Sequence, residues 1–150
     1  MGQAAIFGAG CHAVPATDSK PAVATCTTGT GEYLIRTGLA KLVAERVQSG
    51  SVMEAASAMD DAFLRSPVLS RVQQPVGGVL AVSFDVKTGA TNCIISHTAA
   101  TMVASCMQEA DAVPRIMEVA QSAKKVGLNV CSHACKVVAY GRAVQTIALT

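Results

Sequence analysis

Tryptophan is absent from this chain, and two Tyr and three Phe are its only benzene-type rings, 3% of 150 residues. A core with so few rings has to be packed closely from Ala, Val, Ile, Leu and Met. Charge is scarce as well, at 15% of residues with a net charge of +2. The Lys and Arg residues are scattered, and Tyr33 and Tyr140 stand away from any Lys/Arg run. The interleaved cations and rings of a nucleic-acid surface are therefore missing. No apolar run reaches the roughly 18 residues of a bilayer span. The opening Met1-Gly2-Gln3-Ala4-Ala5-Ile6-Phe7 lacks the basic start and long apolar stretch of a secretory leader. The expected partners therefore include neither nucleic acid nor membrane, and the expected location is cytoplasmic and/or nuclear. Without a secretion signal, Cys11, Cys26, Cys93, Cys106, Cys131 and Cys135 are expected as free thiols.

What is present is apolar: 51% hydrophobic residues and a mean hydropathy of +0.40 argue against disorder. They also imply apolar surface that meets another segment or subunit. Ala22-Val23-Ala24-Thr25 reads as a short buried strand. Ile35, Leu39, Leu42, Val43 and Val47 fall on one stripe of a helix over Glu32 to Val47, ended near Gly50. Ser51 with Glu54 reads as a capping box opening a second helix, which presents Val52, Ala55, Ala56, Met59, Phe63 and Leu64 on one face and closes at Ser66-Pro67. The period then changes: Gly77 to Phe84 and Ala90 to Ser96 read as a β-hairpin around the turn Asp85-Val86-Lys87-Thr88-Gly89. Pro114 to Val126 reads as a helix through Ile116, Val119, Ala120 and Ala123, and Val130 to Leu149 is apolar without a clean period. A strand, two helices and a hairpin suggest an α+β layer arrangement, an antiparallel sheet with paired helices on one face.

The run Thr25-Cys26-Thr27-Thr28-Gly29-Thr30-Gly31-Glu32 brings hydroxyls and glycines to the head of a helix. Backbone N–H groups there can face a negative group, as an oxyanion hole requires. Taken by itself, the run reads first as a tight strand-to-helix turn, since short Gly/Thr runs are common turn material. It is not a phosphate loop, because the Gly-Lys-Ser/Thr ending is absent. His97 in Ser96-His97-Thr98 ends a strand and is read either as a base or as a locally hydrogen-bonded side chain. His12 beside Cys11 suggests a Cys–His dyad, but sequence neighbours rarely have that geometry. Cys131-Ser132-His133-Ala134-Cys135 is one metal-type cluster without the second that structural zinc needs. Asp60-Asp61 falls late on the second helix, where Asp61 lies off the apolar stripe and reads as solvated, and no general acid/base pair is supported. No metal and no cofactor are expected.

Taken as ordered blocks, Gly2 to Cys11, Cys26 to Thr37, Phe63-Leu64-Arg65-Ser66-Pro67, Gly77-Gly78-Val79 and Ser96-His97-Thr98 resemble the β-subunit of the threonine aspartase (taspase) branch of the plant-type asparaginase and glycosylasparaginase family. The resemblance covers residues 2–107, and Gln3-Ala4-Ala5 with Ser96-His97-Thr98 favours this branch over the simple asparaginases. From about Glu109 the likeness fades, so residues 108–150 form a divergent C-terminal region of one incomplete domain. The resemblance implies an N-terminal-nucleophile hydrolase with an αββα sandwich, of which this chain would form part. In such enzymes a threonine freed by self-cleavage attacks with its own amine as base. The resemblance also implies cleavage of protein substrates after aspartate, with Thr28 and Gly29 in the oxyanion hole. Gly2, Gln3 and Gly31 are implied in substrate binding.

The pattern departs from the family at its centre. The family's nucleophilic threonine, in its Asp-Gly processing context, and the carboxylate-binding Arg both precede the block matched by Gly2-Gln3, and neither occurs here. The resemblance thus implies a fragment of an endopeptidase, inactive as this chain. Its partners would be an aspartate-bearing protein substrate and the missing α-subunit with the N-terminal β-subunit segment, or a homologous subunit. The alternatives are an isoaspartyl peptidase or L-asparaginase-like hydrolase, and a non-catalytic partner-binding paralogue.

Overall fold

The computed structural model describes residues 2–106, 115–120, 127–132, 138–139 and 144–145, with side chains through residue 105. Five strands form one sheet: β1 (Cys11–Val14), β2 (Ala22–Gly29), β3 (Gly77–Phe84), β4 (Thr91–His97) and, at the far edge, Gly127–Ser132. Every neighbouring pair is antiparallel. Three helices, α1 (Gly31–Thr37), α2 (Leu39–Ser49) and α3 (Glu54–Met59), pack on one face. The fold is α+β, one helix layer on one antiparallel sheet.

Alternation along the strands decides what each face buries. On β2, Val23 and Thr25 are buried while Ala24, Cys26 and Thr28 are exposed. On β3, Val79 and Ala81 join Val23, Leu34, Leu39, Val43, Met59 and Phe63 in the core. The core is aliphatic, as the shortage of rings requires, and Phe63 is its one fully buried phenyl ring among the described residues. The Thr25 hydroxyl donates to the Ala40 carbonyl at 2.8 Å, tying β2 to α2 inside the core. Gln48 Nε2 donates to the Pro15 and Pro21 carbonyls, fastening the β1–β2 loop to the end of α2. The other sheet face is apolar and open at its β1–β3 side, where Ala13, Ala24, Val82 and Phe84 are exposed.

The stretch from Glu32 to Val47 is two helices rather than one. Gly38 adopts a left-handed conformation, φ 57°, that ends α1 and begins α2. The break resets the helical phase, so α1 buries Leu34 and leaves Ile35 exposed, while α2 buries Leu39, Ala40, Val43, Ala44 and Val47. Ser51 does not form the capping box. Its hydroxyl accepts from the Met53 N–H, and α3 begins at Glu54 without a side-chain cap. After Met59 the helix widens into a π-turn over Asp60–Leu64, which keeps Phe63 inside and turns Leu64 outward.

Between β3 and β4 the turn forms where its residues predict. Asp85 accepts from the Lys87 and Thr88 N–H groups. The Lys87 N–H foremost, then the Thr88 hydroxyl, hold its carboxyl below its ordinary value. The helix expected over Pro114 to Val126 is not formed through its first half. Arg115–Ala120 is a strand paired with Thr101–Cys106. The β-branched Ile116 and Val119 suit such a strand, and the pairing overrides a weak helical period. Positions 121–126 lie outside the described residues, and of the apolar stretch from Val130 the structure gives Gly127–Ser132 and the pair Val138–Ala139 with Val144–Gln145.

Candidate functional site

The Thr25 to Glu32 run is split between two elements, with one residue joining them. Thr25 to Gly29 complete β2, Thr30 is the residue before α1, and Gly31 and Glu32 open the helix. The strand runs on past the Ala22–Thr25 segment expected from the sequence. It continues because the Thr side chains alternate and find partners on the inner face. Thr27 donates to the Ala9 carbonyl at 2.6 Å and to that of Gly10 at 3.3 Å. Thr25 and Thr27 are therefore structural, whereas Thr28 stands on the open face, exposed, opposite Gly78.

Gly29 closes the strand at φ 132°, where a side chain would be strained. A Cβ there would also meet the Gly77 Cα at 2.6 Å and the Val76 carbonyl at 2.7 Å. The Thr30 N–H donates to that same carbonyl at 3.0 Å. Opposite Gly29, the Gly77-Gly78 pair makes room on both faces. A side chain at Gly77 would run into the Phe63 ring, and one at Gly78 into the sulfur of Met102.

The junction opens onto a cleft of about 380 Å³ lined by Gly2, Gln3, Gly31, Glu32, Ile35 and Arg36. A 3-10 turn over Gln3–Ala5 carries the Gln3 amide to the head of α1. A Cβ on Gly31 would come within 2.7 Å of the Gln3 Oε1. Glycine at position 31 thus lets the amide reach the helix start. Glu32, Ile35 and Arg36 follow at helical spacing on the same side. Arg36 Nη2 lies 2.5 Å from Glu32 Oε1, with both side chains half-exposed. That pair adds little stability, but it fixes a cation and an anion on the cleft wall.

Gly2, Gln3 and Gly31, singled out in the sequence, are brought together. Thr28 and Gly29 stand two to three residues before Gly31, at the end of β2, and neither is among the residues that line the cleft. Glu32, Ile35 and Arg36 were not singled out as site residues. Ile35 was assigned to the core stripe, and only the break at Gly38 frees it. The spacing of Glu32 and Arg36 was the available signal.

The remaining candidates separate. His97 is fully buried at the end of β4, its Nδ1 3.0 Å from the Ala99 carbonyl, which is the local hydrogen bond. The neighbouring Thr98 hydroxyl donates to the Pro75 carbonyl at 2.7 Å and accepts from the Gly77 N–H at 3.0 Å. It pins the start of β3. Cys11 and His12 are strand neighbours on opposite faces. His12 packs edge-on against Phe7 at 5.2 Å, so no dyad forms. Asp60 pairs with Arg65, and Asp61 lies 3.3 Å from Arg46 and 3.2 Å from Arg65 on the surface. Among the described residues no three His, Cys, Asp or Glu side chains gather as a metal site. His133 to Cys135 of the cysteine–histidine cluster lie outside the described residues. No described helix is long and apolar enough to cross a membrane.

Sheet, helices and cleft define a mixed α+β protein with a recess at a strand–helix junction. The family described as asparaginase matches residues 1–117, and the chain belongs to that family of N-terminal-nucleophile-type hydrolases. The matched region runs past β4 and into Arg115–Ala120.

Proposed function

We propose that this chain supplies the substrate cleft and the oxyanion-stabilising strand end of a threonine-type endopeptidase that cleaves proteins after aspartate. The observation that carries the reading is the meeting of Gln3 and Gly31 in a cleft, two residues along the chain from Thr28-Gly29, with Arg36 on its wall. In this reading a threonine hydroxyl attacks the main-chain carbonyl carbon of the substrate aspartate, its own amine taking the proton. The oxygen that becomes negative is met by the Thr28 hydroxyl and the Gly29 N–H. The Arg36 guanidinium and the Gln3 amide hold the aspartate side chain. Collapse of the tetrahedral species expels the peptide amine, and water then releases the acyl group.

No Asp-Gly-Thr run occurs in these 150 residues, so the attacking threonine comes from a segment or subunit outside them. In this reading the chain is one part of an incomplete domain, inactive by itself. It works in the cytoplasm or nucleus on aspartate-bearing proteins. A second reading, an isoaspartyl peptidase or L-asparaginase-like hydrolase, draws support from the family's description as asparaginase. A non-catalytic, partner-binding role draws support from the open apolar sheet face.

Purified chain assayed with aspartyl peptides, isoaspartyl dipeptides and asparagine should show no turnover. Turnover that is abolished by Thr28→Ala would overturn the reading, because the nucleophile would then lie within the chain.

A further inference from the structure

Cys11 and Cys26 stand directly opposite one another in the β1–β2 ladder. One step away, the Thr27 N–H donates to the Gly10 carbonyl at 2.9 Å. That bond makes Gly10 and Thr27 a hydrogen-bonded pair, so Cys11 and Cys26 occupy a non-hydrogen-bonded position. Antiparallel strands bring facing Cα atoms to about 4.5 Å at such positions. A disulfide needs Cα atoms about 4.4–6.8 Å apart. Both side chains are exposed and project from the same open face of the sheet. His12 lies on the other face, and no third metal-binding side chain joins the two thiols among the described residues. Two thiols alone are a poor metal site but a complete dithiol couple.

We propose that Cys11 and Cys26 form a reversible redox site, oxidised to a cross-strand disulfide by low-molecular-weight disulfides of the glutathione class. One thiolate attacks the small disulfide, whose S–S bond breaks and releases one small thiol. The second protein thiolate then attacks the mixed disulfide at the protein sulfur and releases the other small thiol. The protein thiols give up two electrons and two protons, and the small disulfide becomes two thiols. An exposed bond of this kind is of the labile class rather than the structural one. The cross-link would join β1 to β2 across the Pro15–Pro21 loop. It would sit two residues from Thr28 on the same face, so its redox state would be set beside the strand end that forms the candidate site.

The test is a glutathione titration of the folded full chain, with free thiols trapped by alkylation and the peptides mapped by mass. A Cys11–Cys26 disulfide should appear with a single midpoint. Glutathione adducts on either residue should not accumulate, and buried Cys93 should stay reduced. In Cys11→Ser, glutathione should instead accumulate on Cys26, and in Cys26→Ser on Cys11. Thiols that persist through the series, stable adducts in the unsubstituted chain, or a disulfide joining either residue to another cysteine would overturn the proposal.

Discussion

Phe63 and Gly77 are the clearest case of two residues that require each other. The chain places one phenyl ring in its core and removes every side-chain atom where that ring meets β3. Gly77→Ala should therefore destabilise the fold by about 1–3 kcal/mol, as overpacking of a closed core does. Phe63→Leu in the same chain should recover part of that loss, because contacting sites are not additive. Urea unfolding of the two single variants and the double variant measures both effects. The Gly77-Gly78 dipeptide was legible as a strand start, but not as a clearance for two different side chains on two faces. That purpose depends on Phe63 and Met102, partners distant in sequence. His97 was the more legible residue, since a strand-end histidine beside small polar neighbours readily finds a local carbonyl.

Among the elements, the joint between α1 and α2 matters most to the site. Gly38 holds φ 57° in open surroundings, where a Cβ would meet nothing nearer than the Gly8 carbonyl at 4.0 Å. Gly38→Ala should therefore cost only the backbone term, about 1–2 kcal/mol, as a lower thermal midpoint with the contacts of α2 intact. The joint could not be read from periodicity, because Ile35 and Leu39 are spaced like partners on one continuous helix. The glycine between them, with φ positive, separates Ile35 from the core and turns it to the cleft. The β3–β4 turn, by contrast, was legible from Asp85 to Gly89, since its geometry is set locally.

That turn also gives a pH dependence. Asp85 has its folded pKa lowered by the Lys87 N–H foremost, then by the Thr88 hydroxyl. Its contribution is present above the unfolded carboxylate pKa and is lost as pH falls through the folded one. At neutral pH the chain should melt slightly above its Asp85→Asn variant. The difference should close on acidification below the ordinary carboxylate range, and melting curves at the two pH values check it.

At the scale of the molecule, the sheet is covered by helices on one face and leaves Val82 and Phe84 exposed on the other. Low charge and high hydropathy foretold such a face, and the order of elements foretold helices on an antiparallel sheet. The final pairing order was less legible. Gly127–Ser132 joins β4 across the intervening Thr101–Cys106 and Arg115–Ala120 hairpin, and a long-range pairing of that kind leaves no local mark in sequence. The asparaginase-family match gives the class of chemistry, and the proposed function assigns that chemistry to the cleft. The central claim is that Thr28 serves an attacking threonine carried by another segment. Its most direct measurement is the kcat on an aspartyl peptide after co-expression with a family segment bearing the Asp-Gly-Thr nucleophile, for the chain and its Thr28→Ala variant. The account predicts turnover only with the added segment, and a kcat roughly 10²–10³-fold lower for Thr28→Ala, the usual cost of one oxyanion donor. An unchanged kcat in Thr28→Ala would contradict it.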